Sequence, residues 1–596
     1  MDQRNIFIAI ALSLLILIGS QTLMEHFYPA PPKSVDVSST QTGKADGAKH
    51  GAPSAPSAVP SAPGTGALLV PPAVQRANKL KEAPRIAIAT ARLTGSISLR
   101  GARIDDLVLH DYRVAVEKDS ADVVLFSPSG TEHGFYAQFG WVPSVAGISV
   151  PTEDTIWSAG TQTLSTEQPL VLTWDNEQGL LFTRTIAIDR NYMFTVTDKV
   201  EATGSASASL YPYGLIGRDG LPKTSGFFIL HEGPIAVYNG SLTEVDYKDL
   251  SEDGPHETQS TGGWLGITDK YWLAALIPDQ KSTYKGRMLH TLVGGRDKFQ
   301  TDFLGTSAVT VAAGQTAEIT THLFAGAKEV NLLDGYEESL GIPLFDRAVD
   351  FGWFYFLTKP LFYVLEWLYG LVGNFGIAIL IATFGIKLLF FPLANKSYKA
   401  MSRRKLLQPK MTELKEKYGD DRQKMQQEMM AMYKREKVNP AAGCIPILIQ
   451  IPVFFALYKV LFVSIEMRHA PFFGWIHDLS APDPTNIFEL FGLIPWDAPH
   501  LLHFGAWPLI MGATMFIQQR LNPQPADPIQ AKMFLFMPLI FTIFLANFPA
   551  GLVIYWAWNN SLSIVQQAII MRKARQEERE KKKASRTAPA KAKKVK

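Results

Sequence analysis

Long apolar runs are the feature that most constrains how this chain can fold. They occur at residues 6–23 and repeatedly after residue 350, and each is close to the ~20 residues that a helix needs to cross a hydrocarbon core roughly 30 Å thick. Hydrophobic residues make up 47% of the chain, which is rich for a soluble protein that carries 19% charged residues. The chain is therefore predicted to be a polytopic α-helical membrane protein with a soluble insert.

The predicted insert covers residues 85–342. Its sequence consists of short alternating stretches rich in Val, Ile, Thr and aromatic residues, such as RIAIATARL and LFTRTIAI, separated by turn signals such as DNEQG. The strands are irregularly spaced and their outward faces are charged, which favours a large β-sandwich over a barrel in the membrane. The only cysteine is Cys444, so no intrachain disulfide can hold this domain together.

Two further segments precede the β domain. Residues 1–28 contain the first apolar run, which is either a secretory signal peptide or an uncleaved anchor; no A-x-A-like cleavage site follows, so an anchor is favoured. Residues 29–84 are dominated by Pro, Ala, Gly and Ser and contain too few large apolar side chains to offset chain entropy. They are predicted to be a flexible linker.

Charge between the apolar runs predicts the orientation. Residues 395–440 hold 13 Lys and Arg against 6 Asp and Glu, and the tail from 572 holds 12 against 3, whereas residues 466–498 hold one Arg against five acids. Under the positive-inside rule, both termini and the 395–440 segment are expected on the cytoplasmic side, and residues 466–498 and the β domain on the outer side.

Residues 343–370 mix Phe, Trp and Tyr with charged residues. Aromatic rings with polar edges favour the membrane interface, so part of this segment is predicted to be an amphipathic helix along the surface. A plain spanning helix is the alternative, and Lys359, Pro360 and Glu366 weigh against it.

Lys387 lies inside the apolar run 371–394. On a continuous helix, its nine-residue separation from Lys396 would place it about 13 Å below the cytoplasmic surface. Other polar side chains fall at similar depth, whereas the outer halves of the runs are apolar. A charge in the bilayer costs roughly 2.5–3.5 kcal/mol, so such groups normally face water or a partner. We expect a groove open to the cytoplasm and closed on the outside, lined by Lys387, Thr383, Gln450, Gln518, Asn559, Asn560 and Gln567.

Simpler explanations exist for each of these residues. Lys387 could extend along its helix towards the headgroups, and single Gln or Asn side chains in helix bundles often only form hydrogen bonds between helices.

The 395–440 segment is predicted to be an antiparallel helical hairpin that breaks at Gly419, with Asp420 and Asp421 placed to cap the second helix. Its many methionines either form the seam of the hairpin, which is favoured, or grip apolar segments transiently. The basic tail could attract RNA or anionic lipid, or be merely solvated.

Several long stretches resemble the YidC membrane protein insertases. They are LLQPKMTELKEKYGDDRQKMQQEMMAMYKREKVNPAAGCIPILIQIPVFFALYKVL and FPAGLVIYWAWNNSLSIVQQ, together with GARIDDLVLHDYR and GFYAQFGW, which resemble the periplasmic domain of Gram-negative members. The resemblance covers nearly the whole chain apart from the linker and the extreme tail.

This resemblance implies a five-helix insertase core, six transmembrane helices in all, and an inserted periplasmic β-supersandwich domain in a bacterial inner membrane protein. The implied partners are nascent membrane proteins, the Sec translocon, ribosomes reached through the basic hairpin and tail, and membrane lipids, without recognition of a specific nucleic-acid sequence. Tyr555 and Trp556 match positions where functional residues of the family lie. The groove arginine of the family corresponds to Lys387, which keeps the charge but not the planar, multi-donor geometry.

The expected function is therefore insertion of membrane proteins without catalysis and without a cofactor. Two alternatives are a small-solute transporter or channel, for which no repeated halves with broken helices are visible, and a sugar-acting enzyme in the β domain, for which no HExxH, Walker A or GxSxG motif occurs. The remaining predicted boundaries are transmembrane helices at 371–394, 441–465, 499–521, 530–548 and 551–571, an outer loop at 466–498 and a tail at 572–596.

Overall fold

The computed structural model describes residues 71–587 except for 118, 204, 227–228, 420, 437–444, 493, 495–503 and 523–527. The predicted anchor at 1–28, most of the predicted linker and residues 588–596 of the tail lie outside the described residues. The rest divides into a β domain and a helical core.

Strands β1–β20 form two sheets that bury a common core. Their alternation follows the sequence pattern; in β9, for example, every second side chain is buried. The bounds are β1 Arg85–Ala89, β2 Leu93–Ser98, β3 Arg103–Arg113, β4 Asp122–Phe126, β5 Phe135–Pro143, β6 Ser158–Ala159, β7 Thr163–Leu164, β8 Leu170–Asp175, β9 Leu180–Ile188, β10 Met193–Ala202, β11 Ala208–Asp219, β12 Gly233–Tyr238, β13 Ser241–Glu244, β14 His256–Thr261, β15 Trp264–Thr268, β16 Trp272–Ile277, β17 Thr283–Val293, β18 Arg296–Gly305, β19 Val309–Val311 and β20 Thr316–Ala327.

The first sheet has the order β14-β17-β18-β11-β5-β3-β2-β1-β7, with β4 and β19 joined to β3 and β11. The second has the order β13-β12-β15-β16-β20-β10-β9-β8-β6. Neighbours are antiparallel except for β1 and β7. One buried ion pair joins adjacent strands of the second sheet, where the Arg184 guanidinium donates to both carboxylate oxygens of Asp198 at 2.7 and 2.9 Å. The sequence prediction of a large β-sandwich agrees with this arrangement.

The helices that surround and follow the β domain belong mainly to the core. In the described part of the chain, three short 3₁₀ helices lie between them: Phe345–Ala348, Ile465–Met467 and Ile487–Gly492. The bounds are α1 Pro72–Lys79, α2 Tyr247–Asp253, α3 Val330–Leu340, α4 Tyr355–Val372, α5 Phe375–Leu389, α6 Phe391–Leu406, α7 Gln408–Tyr418, α8 Arg422–Arg435, α9 Ile445–Val463, α10 Ala506–Leu521, α11 Pro528–Leu545 and α12 Ala550–Thr587.

Helix α12 is central to the core and contacts α5, α6, α9 and α10, while α11 packs on α10 and α4 packs on α5 and α9. Among the described helices, none taken singly combines the length and the apolar composition of a membrane span; α5 and α6 meet these criteria only as a pair, across a bend of 67°.

The bend between α5 and α6 changes the estimated position of Lys387. Pro392 lies in the first turn of α6, where its missing N–H is tolerated, but it has no proton to continue the hydrogen-bond ladder of α5. The helix therefore ends at Leu389 and restarts in a new direction at Phe391. The depth of about 13 Å assumed a continuous helix to Lys396, and the bend removes that basis.

Helices α7 and α8 form a hairpin. The Asp421 carboxylate accepts a hydrogen bond from the Lys424 N–H at 3.0 Å and so caps α8. Met411 and Met432 are buried in the seam with Leu407 and Tyr433, whereas Met430 is exposed. Two of the methionines therefore hold the hairpin together, as the favoured interpretation expected.

Helix α4 accounts for part of the predicted interfacial segment. Phe362 and Leu365 are buried against the core, whereas Phe356 and Trp367 are 74% and 66% exposed. Lys359 does not interrupt the helix, because its ammonium pairs with Asp334 at 2.8 Å and with Asp346 at 2.6 Å.

The β domain is fixed to the core by side chains that follow one another at the end of α9. Lys459 pairs with Asp350 at 2.9 Å and also donates to the Ile229 carbonyl, while Arg468 donates to the Arg113 carbonyl at 2.6 Å. Each charged group enters hydrogen bonds across the junction, which offsets part of the cost of its burial.

Glu466 makes a further contact across the junction. Its Oε1 accepts a hydrogen bond from the Val330 N–H at 2.9 Å, at the first turn of α3, while Oε2 has no partner among the described residues. The side chain of Glu329, which precedes α3, is already engaged by Arg92 and Tyr112. The core thus supplies the N-terminal cap of a helix in the β domain.

The junction is expected to loosen as pH rises. Burial raises the pKa of Glu466 to about 7 from an ordinary 4.5, the Val330 N–H opposes this rise, and Glu329 and Glu366 add to it. Glu466 therefore binds its proton more tightly when it is buried at the junction than when it is exposed. The stabilisation of the junction by protonated Glu466 is complete below pH 4.5 and is lost as the pH rises past 7, by about 3 kcal/mol at most. Hydrogen exchange of the α3 amides, corrected for intrinsic rates, should show falling protection over this range.

The control is a carboxylate that lies on α3 itself and is exposed. Glu466→Gln should abolish the pH dependence, whereas Glu338→Gln, at an exposed position, should keep it. An unchanged pH slope in Glu466→Gln would contradict the assignment.

Candidate functional site

A cavity of about 70 Å³ lies among α5, α6, α9 and α12, enough for a few water molecules. Its wall combines polar and apolar side chains. The polar lining residues are Thr383, Lys387, Tyr398, Gln450, Tyr555, Asn559 and Gln566, and the apolar ones are Ile386, Phe390, Leu393, Ala394 and Val453.

Lys387 is the cationic residue of this lining. Its Nζ donates a hydrogen bond to the Ser563 Oγ at 2.6 Å, and none of the described carboxylates forms an ion pair with it. The partner that the structure gives to Lys387 is thus a neutral hydroxyl. A hydroxyl compensates less for a buried charge than a carboxylate, so the ammonium can still attract an anionic group.

Ser563 uses its whole hydrogen-bonding capacity at this point. Its hydroxyl donates to the Asn559 carbonyl one turn earlier at 2.8 Å, while its oxygen receives Lys387, and its side chain also hydrogen-bonds the Tyr398 side chain. A hydroxyl has one proton and two lone pairs, so these three contacts saturate it. Ser563 therefore joins α5, α6 and α12 beside the cavity.

The other polar side chains of the lining differ in whether their hydrogen-bonding atoms have partners. The Thr383 hydroxyl donates to the Ile379 carbonyl of its own helix at 2.6 Å, and Gln450 hydrogen-bonds the Tyr555 side chain. The Gln566 Nε2 has no partner among the described residues. The cavity thus presents an ammonium and a free amide donor to whatever enters it.

Tyr555 and Trp556 have different places. Tyr555 is buried and lines the cavity. The Trp556 ring instead packs between helices, 4.7 Å from Phe454 and 5.8 Å from Phe541 between ring centroids. Of the two aromatic residues that the family resemblance indicated, Tyr555 is the one that lines the cavity.

Three predicted groove residues lie away from the cavity lining. The Asn560 Nδ2 donates to Thr514 on α10 at 3.4 Å, and the Gln567 Nε2 donates to Asn522 at 2.9 Å. Gln518 is half-buried on α10 and is not part of the lining. These contacts join α12 to α10 and its end, because Asn560 and Gln567 are seven residues apart on one face of α12, next to the face of Asn559 and Gln566.

Tyr398 lines the cavity although the sequence pattern places it in the hairpin segment that begins at residue 395. The reason is that α6 begins at Phe391 and lies against the cavity. The signal that could have found it is Pro392, which predicts a helix start there.

The side of the cavity towards the β domain is closed by apolar packing. Leu461, Leu479 and Leu552 are completely buried there, and the Gly551 N–H donates to the Leu479 carbonyl at 2.9 Å. The polar wall therefore ends against a dry core.

Comparison with known proteins gives two family matches that together span most of the chain. Residues 85–364 match the family described as YidC periplasmic domain, and residues 367–578 match the family described as 60Kd inner membrane protein.

Similar whole proteins include two called membrane protein insertase YidC. The protein from Methylobacterium radiotolerans is 50% identical over 96% of this chain and 95% of its own length, and that from Granulibacter bethesdensis is 51% identical over 96% and 98%. The crystal structure of an active YidC insertase with its first transmembrane domain resolved matches 81% of this chain and 92% of its own, at 17% identity and a TM-score of 0.34.

Removing the Ser563 hydroxyl should release the Lys387 ammonium. In Ser563→Ala, we expect a water-soluble amine reagent to label Lys387 faster by up to roughly tenfold, the scale of one hydrogen bond to a charged group. Mass spectrometry of the labelled peptide measures the rate.

Ser561→Ala is the matched control. The Ser561 hydroxyl donates to the Ala557 carbonyl at 2.8 Å in the same way but does not contact Lys387, so labelling should not change. Equal rates in both variants would show that Ser563 does not hold the ammonium.

Proposed function

The chain belongs to the YidC family of membrane protein insertases, and from this premise we propose that it inserts client segments by receiving their polar flank in the Lys387 cavity. Its clients are nascent membrane proteins, and it belongs to the inner membrane with a periplasmic domain, as do the members of this family. The cavity hydrates the flank of an incoming segment, which shortens its path through hydrocarbon, and the apolar part of the segment then passes to lipid.

The observation that carries this proposal is the convergence of polar groups from four helices around one ammonium without a carboxylate. A buried ion pair would leave the site electrically neutral, whereas Lys387 bonded to Ser563 keeps its charge for an acidic residue of the client. The dry packing around Leu461 and Leu552 supports a groove that ends blind rather than a channel, which needs a path to both sides.

Lysine at this position changes how a client is held. A guanidinium can engage a carboxylate through two parallel N–H donors, whereas an ammonium acts as a compact point charge on a flexible stem. The contact is therefore less directional than the one expected of the arginine in the family, and clients with differently placed acidic residues can share it.

The outward-facing side chains support contact with lipid. Trp353 is 84% exposed, and Phe356 and Trp367 on α4 are also exposed, as expected of a helix lying at a membrane interface. On α11, Phe536, Leu539, Ile540 and Phe544 are exposed over successive turns, which suits a surface that faces lipid or a departing client segment.

The basic hairpin suits a cytoplasmic position near the ribosome. Residues 395–440 carry an excess of Lys and Arg. By the positive-inside rule, we propose that both termini lie in the cytoplasm and the β domain in the periplasm. We also propose that the protein cooperates with the Sec translocon, crosses the membrane six times and catalyses no reaction. Among the described residues, no group of three or more His, Cys, Asp or Glu side chains could hold a metal ion.

Charge at position 387 should decide which clients are inserted. We expect Lys387→Glu to lower insertion of clients with acidic translocated tails by roughly tenfold or more, because repulsion replaces attraction between charges a few ångströms apart. Lys387→Arg should retain most activity. Protease protection of the translocated tail in reconstituted vesicles measures insertion.

Lys396→Glu is the charge-matched control, since Lys396 is exposed on α6 and is not part of the cavity lining. It should insert clients normally. If Lys387→Glu and Lys387→Arg both insert acidic-tailed clients as well as the unchanged chain, the ammonium has no role in insertion.

Water should reach position 387 from one side only. Because Cys444 is the only cysteine, a Cys444→Ala background with Lys387→Cys allows site-specific labelling with a membrane-impermeant thiol reagent. We expect reaction from the hairpin side and none from the β-domain side, with Leu552→Cys as a buried control. Labelling from both sides would indicate a pore, and labelling from neither would indicate a dry bundle; either result would end the groove proposal.

A further inference from the structure

A second, larger cavity lies in the β domain, next to its junction with the core. It has a volume of about 420 Å³, within the range of small-ligand sites. The end of β11, the segment that follows it and the turn between β15 and β16 form most of its wall. We call it the junction cleft.

The carboxylates of the junction cleft are already engaged. Asp269 pairs with Arg218 at 2.6 Å, and Asp219 accepts a hydrogen bond from the Gly130 N–H at 2.6 Å. Glu232 accepts hydrogen bonds from the N–H groups of Ser225 at 2.6 Å and Lys270 at 3.2 Å. Asp219 also lies 3.2 Å from the Lys298 ammonium, so among the described residues Glu232 is the carboxylate of the cleft lining that no cation pairs with.

Two ammonium groups in the same cleft remain available. Lys223 is exposed, and Lys270 lies 3.7 Å from the ring centroid of Phe462 and 4.8 Å from that of Tyr271. Within the described residues, neither ammonium forms an ion pair or a hydrogen bond. Burial lowers the pKa of Lys270 to about 8, with Glu232 and Asp478 opposing this shift, so its charge is incompletely compensated.

The junction cleft also adjoins α9, the helix that contributes to the Lys387 cavity. Phe462 lies at the end of α9, which also carries Gln450. Arg468, just after α9, lies 5.6 Å from the ring centroid of Trp272, which lines the cleft. A segment that has crossed the membrane beside α9 would emerge close to these rings and ammonium groups.

We propose that the junction cleft binds a short acidic stretch of polypeptide, whose carboxylates pair with Lys270 and Lys223 while its backbone lies against Tyr271 and Trp272. The occupant is the translocated acidic segment of a client. That identity rests on the proposed function, whereas the binding of an acidic peptide does not. The β domain would then retain the acidic segment on the far side of the membrane.

Binding is tested on the full-length purified chain in detergent. The probe is a fluorescent peptide that alternates Asp and Ser, compared with a twin in which Asn replaces every Asp, and anisotropy measures affinity. We expect the acidic peptide to bind and its Asn twin not to. Lys270→Gln and Lys223→Gln should each weaken binding on the order of tenfold, the scale of one charge-assisted hydrogen bond.

Two controls separate charge in the cleft from charge elsewhere. Lys281→Gln removes an exposed lysine outside the cleft lining and should leave affinity unchanged, and Lys270→Arg should restore most of it. Lys223 is exposed, so its replacement tests the cleft even if Lys270→Gln does not fold.

Three results would overturn the proposal: equal binding of the Asn twin, no acidic-peptide binding, or affinity unaffected by both lysine replacements. Displacement of the peptide by maltose would also overturn it and assign the cleft to carbohydrate. Because binding is measured without insertion, a failure of the Lys387 mechanism would leave the result intact, and the reverse also holds.

Discussion

The contact between the Lys387 ammonium and the Ser563 hydroxyl is the interaction on which the proposed mechanism depends. A charge inside an apolar bundle is costly, and the usual remedy is a carboxylate, which would neutralise the site. Here a saturated hydroxyl holds the ammonium between α5 and α12 without cancelling its charge. Because the charge of Lys387 is not cancelled, it can attract an acidic residue of a client.

Charged side chains with neutral hydrogen-bond partners also occur where the β domain meets the core. Lys459, Glu466 and Arg468 all reach from the end of α9 to backbone groups of the β domain. Lys459 is also paired with Asp350, whereas the backbone partners of Glu466 and Arg468 fix the positions of these groups without cancelling a charge. Helix α9 is thus held at one end by the β domain and contributes Gln450 to the cavity near its other end, which links the two parts of the protein through one rigid element.

Sequence reasoning predicted much of the site, and its errors have a common origin. Lys387, Thr383, Gln450 and Asn559 do line one cavity, because polar residues in apolar runs have few alternatives to a shared polar space. Tyr555, which only the family resemblance indicated, lines the same cavity. Asn560, Gln567 and Gln518 are also polar amides at a similar predicted depth, yet they lie outside the cavity lining. Depth depends on position along a helix, whereas the partner depends on the direction in which a side chain points around it.

The sequence by itself determined the two-part organisation, the β-sandwich and the family, because apolar run length, two-residue alternation and long motifs are local properties of the chain. Only the tertiary structure decided which face of α12 meets α5 and which meets α10, how far the chain bends between α5 and α6 just before Pro392, and that Tyr398 and Ser563 belong to the site. These features depend on contacts between residues far apart in sequence, such as Lys387 with Ser563, and no local pattern specifies which distant residue a side chain will meet.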